Sequence, residues 1–222
     1  MGVEEDINTD VQRVNHIPVV PLILEAVCRT TGMGFAAVAR VTDKKWVACS
    51  VLDDLQFGLV PGGELVLSTT ICDEIRQSGE EVIIDNVKES DTYCNHHTPA
   101  MYGFQSYISV PITTQNGFFG TLCAIDPQPG LLNTPEIIAM FRSFASLISF
   151  YLDTAALLPE NLQQQLQRQV AETLRQHLAA VPAAMQVPDA RLSKRSSEFV
   201  AVIVDSCSRI NLLVAELRQA AL

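Results

Sequence analysis

The segment 102–127 constrains the fold most, because its residue types predict two strands joined by a tight turn. Ser106–Thr114 and residues 118–125 are both rich in β-branched and aromatic side chains. The Asn116-Gly117 pair between them tolerates the positive φ angles of a hairpin turn. Pro111 interrupts the first strand, which favours an edge or bulge position over a central one. The sequence therefore predicts an antiparallel hairpin in the middle of the chain.

This hairpin and several segments before it resemble the signature of GAF domains, the small-ligand sensing modules of bacterial signalling proteins. The resemblance covers about residues 19–153. It implies an α+β fold with a central antiparallel sheet flanked by helices. It does not imply a ligand, since GAF domains bind cyclic nucleotides, tetrapyrroles, haem, small acids or nothing. The segments that carry the resemblance are PGGE at 61–64, STTICDEI at 68–75, VIID at 82–85, HHTP at 96–99, SVPI at 109–112 and GTLCAID at 120–126.

Charge and hydropathy exclude several classes of function. The net charge of −10 and the pI of about 4.8 argue against a nucleic-acid surface, which needs clustered Lys and Arg. The apolar run 17–27 is too short to span a bilayer, and the acidic residues 1–6 are unlike a signal peptide. We therefore expect a cytoplasmic protein that binds neither nucleic acid nor membrane.

Local patterns predict the elements before the hairpin. They indicate a helix over 21–31 with Gly32 as its C-cap, and strands over Phe35–Val41, 46–51 and Val82–Ile84. A further helix is predicted over 67–77, capped by Ser68 or Thr69, and 86–101 is predicted to be a long connection without regular structure. The elements predicted on the basis of these patterns agree with an α+β sensor domain.

Three regions are predicted along the chain. Residues 1–9 are expected to be a mobile acidic tail, 10–158 the sensor domain, and 159–222 a helical, coiled-coil-like extension. A helix from Thr134 onward is indicated by apolar residues three or four positions apart. In the extension a narrow apolar stripe recurs every four residues, which favours burial against a second copy of the chain in a homodimer. The stripe consists of Leu162, Leu166, Val170, Leu174 and Leu178.

The last predicted helix resembles the dimerisation helix of histidine kinases, with a similar Glu-Phe-apolar-Ala-Val start at 198–202. Asp205 stands where the resemblance would place the phosphorylated His. A carboxylate does not replace an imidazole nucleophile, so the resemblance implies no kinase activity. An ordinary amphipathic dimer helix and a degenerate kinase helix both remain open, and a histidine kinase or another signalling protein of a two-component system is the expected partner.

Six cysteines lie far apart without a C-x-x-C motif, and we expect them to be reduced thiols. His96 and His97 beside Cys94 do not have the spacing of a structural zinc site, so no metal is expected. The cofactor, if any, is left open. We expect a ligand pocket on the sheet, closed by the 86–101 connection, in a module without enzymatic activity. Its predicted lining residues are Phe57, Thr70, Cys72, His97, Tyr102, Phe104, Ser106 and Cys123.

Two alternatives rest on cysteines. Cys94 precedes Pro111 by an offset similar to that of the chromophore cysteine in cyanobacteriochrome GAF domains, which implies a photosensor with a covalently attached bilin. Cys72 together with Cys94 is similar to the cysteine pair of GAF-fold free methionine sulfoxide reductases, in which one thiolate attacks and the other resolves by forming a disulfide. All three hypotheses remain open on the basis of the sequence.

Overall fold

A six-stranded antiparallel sheet forms the centre of the structure, a computed structural model that describes residues 2–153, 159–180, 205, 208–212 and 215–216. Its strand order is β3-β2-β1-β6-β5-β4, and every neighbouring pair is antiparallel. This confirms the predicted α+β fold and the central hairpin, β5–β6. The strands are β1 (Phe35–Val41), β2 (Trp46–Asp53), β3 (Glu64–Leu65), β4 (Val82–Ile84), β5 (Ser106–Thr114) and β6 (Gly117–Asp126).

Six α-helices flank this sheet in the described residues. They are α1 (Gly2–Asn15), α2 (Val20–Thr31), α3 (Ile71–Ser78), α4 (His97–Tyr102), α5 (Pro135–Asp153) and α6 (Glu160–Ala180). Short 3-10 turns lie at Leu67–Thr69 and Val87–Glu89. Helix α2 ends as predicted at Gly32, whose φ of 78° is the left-handed conformation that glycine adopts without strain.

Alternation along the strands divides the helices between the two faces of the sheet. On one face Ile108, Val110 and Ile112 of β5 pack into a large apolar core with α1, α2, α5 and α6. On the other face Tyr107 of β5 joins a smaller cluster with Phe35, Cys123 and Ile125, against α3. The second face has only two short helices and loops over it, which leaves room for a cavity.

Pro111 lies in β5, an interior strand, at a position that is paired with only one neighbouring strand. It pairs with Thr121 of β6, whereas the ladder with β4 covers only Tyr107 to Ser109. The register shifts between Ile112 and Thr113, which is the bulge expected near this proline. The missing N–H of Pro111 is therefore not needed by the sheet.

The predicted mobile tail at 1–9 is wrong, because α1 is helical from Gly2. Ile7, Val11 and Val14 lie on one side of this helix and are buried in the core. Asp10 holds α1 on the sheet by accepting a hydrogen bond at 2.7 Å from Nε of Arg40, on β1. These three buried residues form an apolar stripe that crosses the predicted boundary between the tail (1–9) and the domain (10–158). The acidic composition of residues 1–6 gives no indication of this stripe.

The predicted helix at 67–77 is shorter than expected and is capped differently. Helix α3 begins at Ile71 after a 3-10 turn, and its N-cap is Thr70, which makes no side-chain cap bond. The Thr69 hydroxyl instead donates to the Val66 carbonyl at 2.6 Å. The 86–101 connection is also more regular than predicted, since it contains a 3-10 turn and most of α4.

Helix α5 is a core helix. It is the only helix among the described residues that is long and apolar enough to cross a membrane. Twelve of its nineteen residues are buried inside the protein, including Phe141, Phe144 and Phe150. Its apolar composition therefore follows from its place between the sheet and the other helices.

The apolar stripe of α6 is buried within the same chain, whereas the sequence favoured burial against a second chain. Leu166, Val170, Leu174 and Leu178 belong to the core cluster that includes α2. Ile210 is buried in the same cluster, and Asn211 Nδ2 donates to the Ser143 hydroxyl of α5 at 3.1 Å. Most of the last predicted helix lies outside the described residues. The described part of the extension thus packs on the sensor domain.

A buried polar contact joins α6 to the end of α2. His177 Nε2 lies 2.8 Å from the Thr30 hydroxyl, and both residues are buried. Burial lowers the pKa of His177 from 6.5 to about 4. The folded protein therefore keeps this imidazole neutral under conditions in which the unfolded chain protonates it.

We expect acid to weaken the folded state through His177. Because the folded pKa is below the unfolded one, its contribution is lost as the pH falls from about 6.5 to about 4, by up to roughly 3 kcal/mol in the free energy of unfolding. Urea unfolding of His177→Gln and the wild type across this range will measure the difference, since the carboxylates are common to both. Equal pH dependence in the two proteins would contradict this prediction.

We expect Gly120→Ala to destabilise the sheet strongly. A Cβ at Gly120 would meet the carbonyl oxygen and carbon of Ala39, which are backbone atoms of the neighbouring β1. The two strands would have to separate, at a cost of roughly 3 kcal/mol in the free energy of unfolding. Gly130→Ala is the matched control, since its Cβ would make only ordinary contacts of 3.5 to 3.6 Å. Urea unfolding of both variants will test this, and an equal cost would contradict it.

Candidate functional site

A cavity of about 50 Å3 lies on the face of the sheet that carries α3. Fourteen residues line it, and none of these carries a formal charge. Six of them are aromatic, so most of the wall consists of flat apolar rings. The lining residues are Phe35, Trp46, Phe57, Leu59, Leu65, Thr70, Ile71, Cys72, Thr98, Tyr102, Phe104, Tyr107, Cys123 and Ile125.

The structure places most of the predicted ligand-binding residues at this cavity. Six of the eight line it, from the loop after β2, the start of α3, the end of α4 and strand β6. These six are Phe57, Thr70, Cys72, Tyr102, Phe104 and Cys123. Whether they bind a ligand stays a prediction.

The structure places His97, Ser106 and Cys94 outside the cavity lining. His97 stacks on His96, with ring centroids 4.5 Å apart, and its Nε2 lies 3.2 Å from the Ser68 carbonyl oxygen. Ser106 donates to the Gln128 carbonyl at 2.8 Å, and strand alternation places it on the sheet face opposite Tyr107. Cys94 is exposed on a turn. It is therefore not brought together with Cys72.

Sequence reasoning missed eight lining residues. Period-two alternation could have found some of them, because Tyr107 lies opposite Ile125 in the register of β5 and β6, and Ile125 follows Cys123 by two positions. Trp46 and Thr98 carry no such signal, since they reach the cavity from a distant strand and a short helix. The eight are Phe35, Trp46, Leu59, Leu65, Ile71, Thr98, Tyr107 and Ile125.

The loop between β2 and β3 covers one side of the cavity. The Phe57 ring contacts those of Phe35 and Tyr102, with centroids 5.3 and 5.8 Å apart. The Asp53 carboxylate holds the loop by accepting backbone N–H bonds from Leu55 (3.1 Å), Phe57 (3.0 Å) and Gly58 (2.8 Å). One exposed loop, fixed largely by a single carboxylate, therefore closes the aromatic wall.

A cluster of polar side chains surrounds Cys72 in the wall of this apolar cavity. Thr121 donates its hydroxyl hydrogen to Cys72 Sγ at 3.3 Å, and the Tyr107 hydroxyl lies 3.4 Å from the same sulfur. Cys123 follows Thr121 by two positions on the same face of β6 and therefore lies close to this sulfur. Its proton has a second acceptor, the Ala37 carbonyl at 3.6 Å. Two thiols and two hydroxyls thus meet where α3 packs on the sheet.

These contacts shift the pKa values of the two thiols in opposite directions. The pKa of Cys72 is lowered to about 6, because hydrogen bonds from Cys123, Thr121 and Tyr107 to its thiolate outweigh the effect of burial. The pKa of Cys123 is raised well above its usual value by the Cys72 sulfur and by burial. Cys72 is therefore the thiolate of the pair, and Cys123 retains its proton.

Two polar atoms near this group have no hydrogen-bond partner in the described part of the chain. They are Trp46 Nε1 and Ser109 Oγ, and both side chains are buried. Trp46 lines the cavity, and Ser109 is paired with Cys123 across the β5–β6 ladder. Trp46 also makes the smallest contribution to lowering the Cys72 pKa, although its N–H lacks hydrogen-bonding geometry to any described acceptor. Both atoms have almost no exposed surface, so each is a buried polar atom that the fold leaves without a partner at a cost in stability.

The family model for the GAF domain matches residues 16–152, which is more than half of the chain. The chain belongs to the GAF domain family. The described GAF domain holds no group of three or more His, Cys, Asp or Glu side chains placed to bind a metal ion. No curated protein sequence matches this GAF domain.

Solved structures resemble this GAF domain at low sequence identity. The cyanobacteriochrome receptor PixJ is 12% identical with a TM-score of 0.51, covering 64% of this chain and 96% of that one. A GAF domain from an Acinetobacter phosphoenolpyruvate-protein phosphotransferase is 14% identical, with a TM-score of 0.48 and coverages of 68% and 94%. A type II free methionine-R-sulfoxide reductase from Thermoplasma acidophilum is 16% identical, with a TM-score of 0.45 and coverages of 58% and 86%. At these identities the PixJ likeness shows the fold alone.

We expect Asp53→Ala to release the loop over the cavity. The three N–H groups that the carboxylate accepts would lose a charged partner, so their amides should exchange with deuterium roughly tenfold faster. Asp54→Ala is the matched control, because Asp54 is the adjacent, exposed carboxylate. Hydrogen exchange measured by mass spectrometry on residues 54–60 will test this. Unchanged exchange in Asp53→Ala would show that another contact holds the loop.

Proposed function

We propose that this GAF domain is a sensory module of a signalling protein, which binds a small neutral molecule in the cavity and relays the event through its C-terminal helices. The observation that carries the proposal is the cavity itself. Fourteen residues without a formal charge line it, and a loop held by the Asp53 carboxylate closes it. Such an apolar site with few polar groups is typical of small-molecule binding. The module has no kinase activity of its own in this proposal.

The residues that line the cavity favour one chemical class of ligand in this proposal. Phe35, Phe57 and Tyr102 form tilted ring contacts, which favour a flat apolar or aromatic molecule. A phosphate group is disfavoured, because no Lys or Arg lines the described cavity and burial of an unpaired charge is costly.

The size of the cavity requires the loop to move. About 50 Å3 is room for one or two water-sized molecules, whereas a benzene-sized ligand needs roughly 150 Å3. Displacement of Phe57 and Leu59, which belong to the covering loop, would enlarge the site without disturbing the sheet. Binding would therefore be coupled to opening of this loop.

The chain offers a short route from the cavity to α6. Phe35 lines the cavity at the start of β1, only a few residues after the last turn of α2. Thr30 in that turn contacts His177 of α6. A ligand that shifts Phe35 would therefore move the end of α2 and bias the packing of α6. The helical segment is thus the proposed output of the domain.

The homodimer through the C-terminal helices stays a prediction, as do the histidine-kinase or other signalling partner and the cytoplasmic location. Because the α6 stripe is buried on its own domain, a dimer would use other faces of these helices, such as the one with exposed Leu212. Asp205 is exposed and lies 3.8 Å from Arg209. A carboxylate at this position supports a non-catalytic helix.

The geometry favours neither cysteine-based alternative. A bilin attached to Cys94 would need that thiol beside a large cavity, and Cys94 is exposed outside the lining. A reductase that uses Cys72 with Cys94 would need the two thiols together, and Cys72 is buried in the cavity wall whereas Cys94 is exposed outside the lining. The ligand-sensing proposal needs neither condition.

We expect Leu65→Trp to abolish binding of a small aromatic probe and Val66→Trp to preserve it. Leu65 lines the cavity, whereas its neighbour Val66 is 66% exposed and outside the lining. With indole as the probe, the unfolding temperature of the wild type should rise in a saturable way. At an indole concentration a hundredfold above Kd, binding should add about 2.7 kcal/mol to the free energy of unfolding. Hydrogen exchange of α6 should change in the same titration. Equal indole binding by both variants, or no shift in the wild type, would contradict the proposal.

A further inference from the structure

We propose that Cys72 and Cys123 form a peroxide-reactive dithiol, in which hydrogen peroxide entering the cavity oxidises Cys72 and Cys123 resolves it to a disulfide. This site is separate in its chemistry from the ligand-sensing function. It does not depend on a bound ligand, and it uses a cysteine pair that the sequence did not predict.

The pair occupies a built site. Cys72 lies in the first turn of α3 and Cys123 in the middle of β6, and both line the cavity while only 4% and 5% exposed. Thr121 and Tyr107 contact the Cys72 sulfur at 3.3 and 3.4 Å. Thr121 and Cys123 lie two positions apart on the same face of β6, so the Cys72 sulfur that accepts from Thr121 also lies close to Cys123, and side-chain rotation would bring the two sulfurs together.

The roles of the two thiols follow from their protonation. With its pKa at about 6, Cys72 is largely thiolate near pH 7, and the thiolate is the nucleophile. Cys123 keeps its proton and is the resolving thiol. The titratable groups that act on Cys72 are Cys123 on β6 and Tyr107 on β5, and the described cavity is lined by no Asp, Glu, His, Lys or Arg.

The cavity selects the oxidant. With the covering loop closed, about 50 Å3 admits a molecule of about two heavy atoms, which fits hydrogen peroxide but not a bulky disulfide or sulfoxide. A neutral oxidant is favoured over an anionic one, because the described lining holds the Cys72 thiolate and no Lys or Arg.

The reaction balances with one peroxide and two thiols. The Cys72 thiolate attacks one peroxide oxygen, an S–O bond forms, and the O–O bond breaks. The departing hydroxide takes the proton of Cys123 and leaves as water. The Cys123 thiolate then attacks the Cys72 sulfur, the S–S bond forms, and the S–O bond breaks. The second hydroxide takes up the proton that Cys72 had released, so two thiols are oxidised and peroxide is reduced to two waters.

The other described thiols provide internal contrasts. Burial raises the pKa of Cys28 and of Cys49 to about 12, so both are inert thiols at neutral pH. Cys94 is exposed and lies outside the cavity lining. Oxidation at Cys72 is therefore expected to precede oxidation at the other described cysteines.

Peptide mapping of the full chain after peroxide treatment tests the proposal. The fully reduced wild type, with six thiols, should lose two of them and the mass of two hydrogen atoms. Digestion should then yield a peptide pair linked through Cys72 and Cys123 that dithiothreitol separates. The rate should rise about tenfold from pH 5 to 7 and then level off, as the Cys72 pKa requires. Oxidation that maps to Cys94, or no Cys72–Cys123 link, would overturn the proposal.

Matched variants separate the roles. Cys94→Ser should form the disulfide like the wild type. Cys123→Ser should leave a sulfenic acid on Cys72 that dimedone traps, and Cys72→Ser should form neither product. Dimedone capture at Cys94 but not at Cys72 in Cys123→Ser would refute the assignment. If a core substitution prevents folding, the wild-type peptide map and its pH dependence decide the question alone.

Discussion

The close antiparallel pairing of β1, β6 and β5 is the constraint on which the rest of the structure depends. Gly120 lets β6 approach the backbone of Ala39 more closely than any side chain would permit. Because side chains alternate along paired strands, this packing sends one set of residues into the helical core and the other toward the cavity. The helices and the site are therefore arranged on opposite faces of one rigid layer.

The two faces differ in how completely they are covered. α1, α2, α5 and α6 bury the first face with large aliphatic and aromatic side chains. The second face has α3, α4 and a loop held by Asp53, so its aromatic residues enclose space rather than fill it. Hydrogen bonds link Cys72, Thr121 and Tyr107 in the wall beside that space, where such bonds are strong and missing partners are costly. An apolar receptor site and a reactive thiol can thus share the same cavity.

The helical face connects the site to the rest of the chain. The α6 stripe packs beside α2, and the Thr30–His177 contact ties the two helices at a point close in sequence to the cavity. A neutral imidazole is required there, because burial opposes its protonation. The docking of α6 is therefore an interaction that small changes in α2 can bias.

The sequence by itself determined the fold. The hairpin with its Asn-Gly turn, the capping Gly32 and the periodic stripes of α5 and α6 are local patterns, and these elements formed near their predicted places. It also located six of the cavity residues, through the family resemblance. Only the tertiary structure decided that Cys72 lies near Cys123 rather than Cys94, and that Trp46 and Thr98 reach the cavity. It also decided that the apolar stripe of α6 packs against the core of the same chain. These are contacts between segments distant in the chain, and no local pattern records which of several compatible surfaces will be brought together when the core closes.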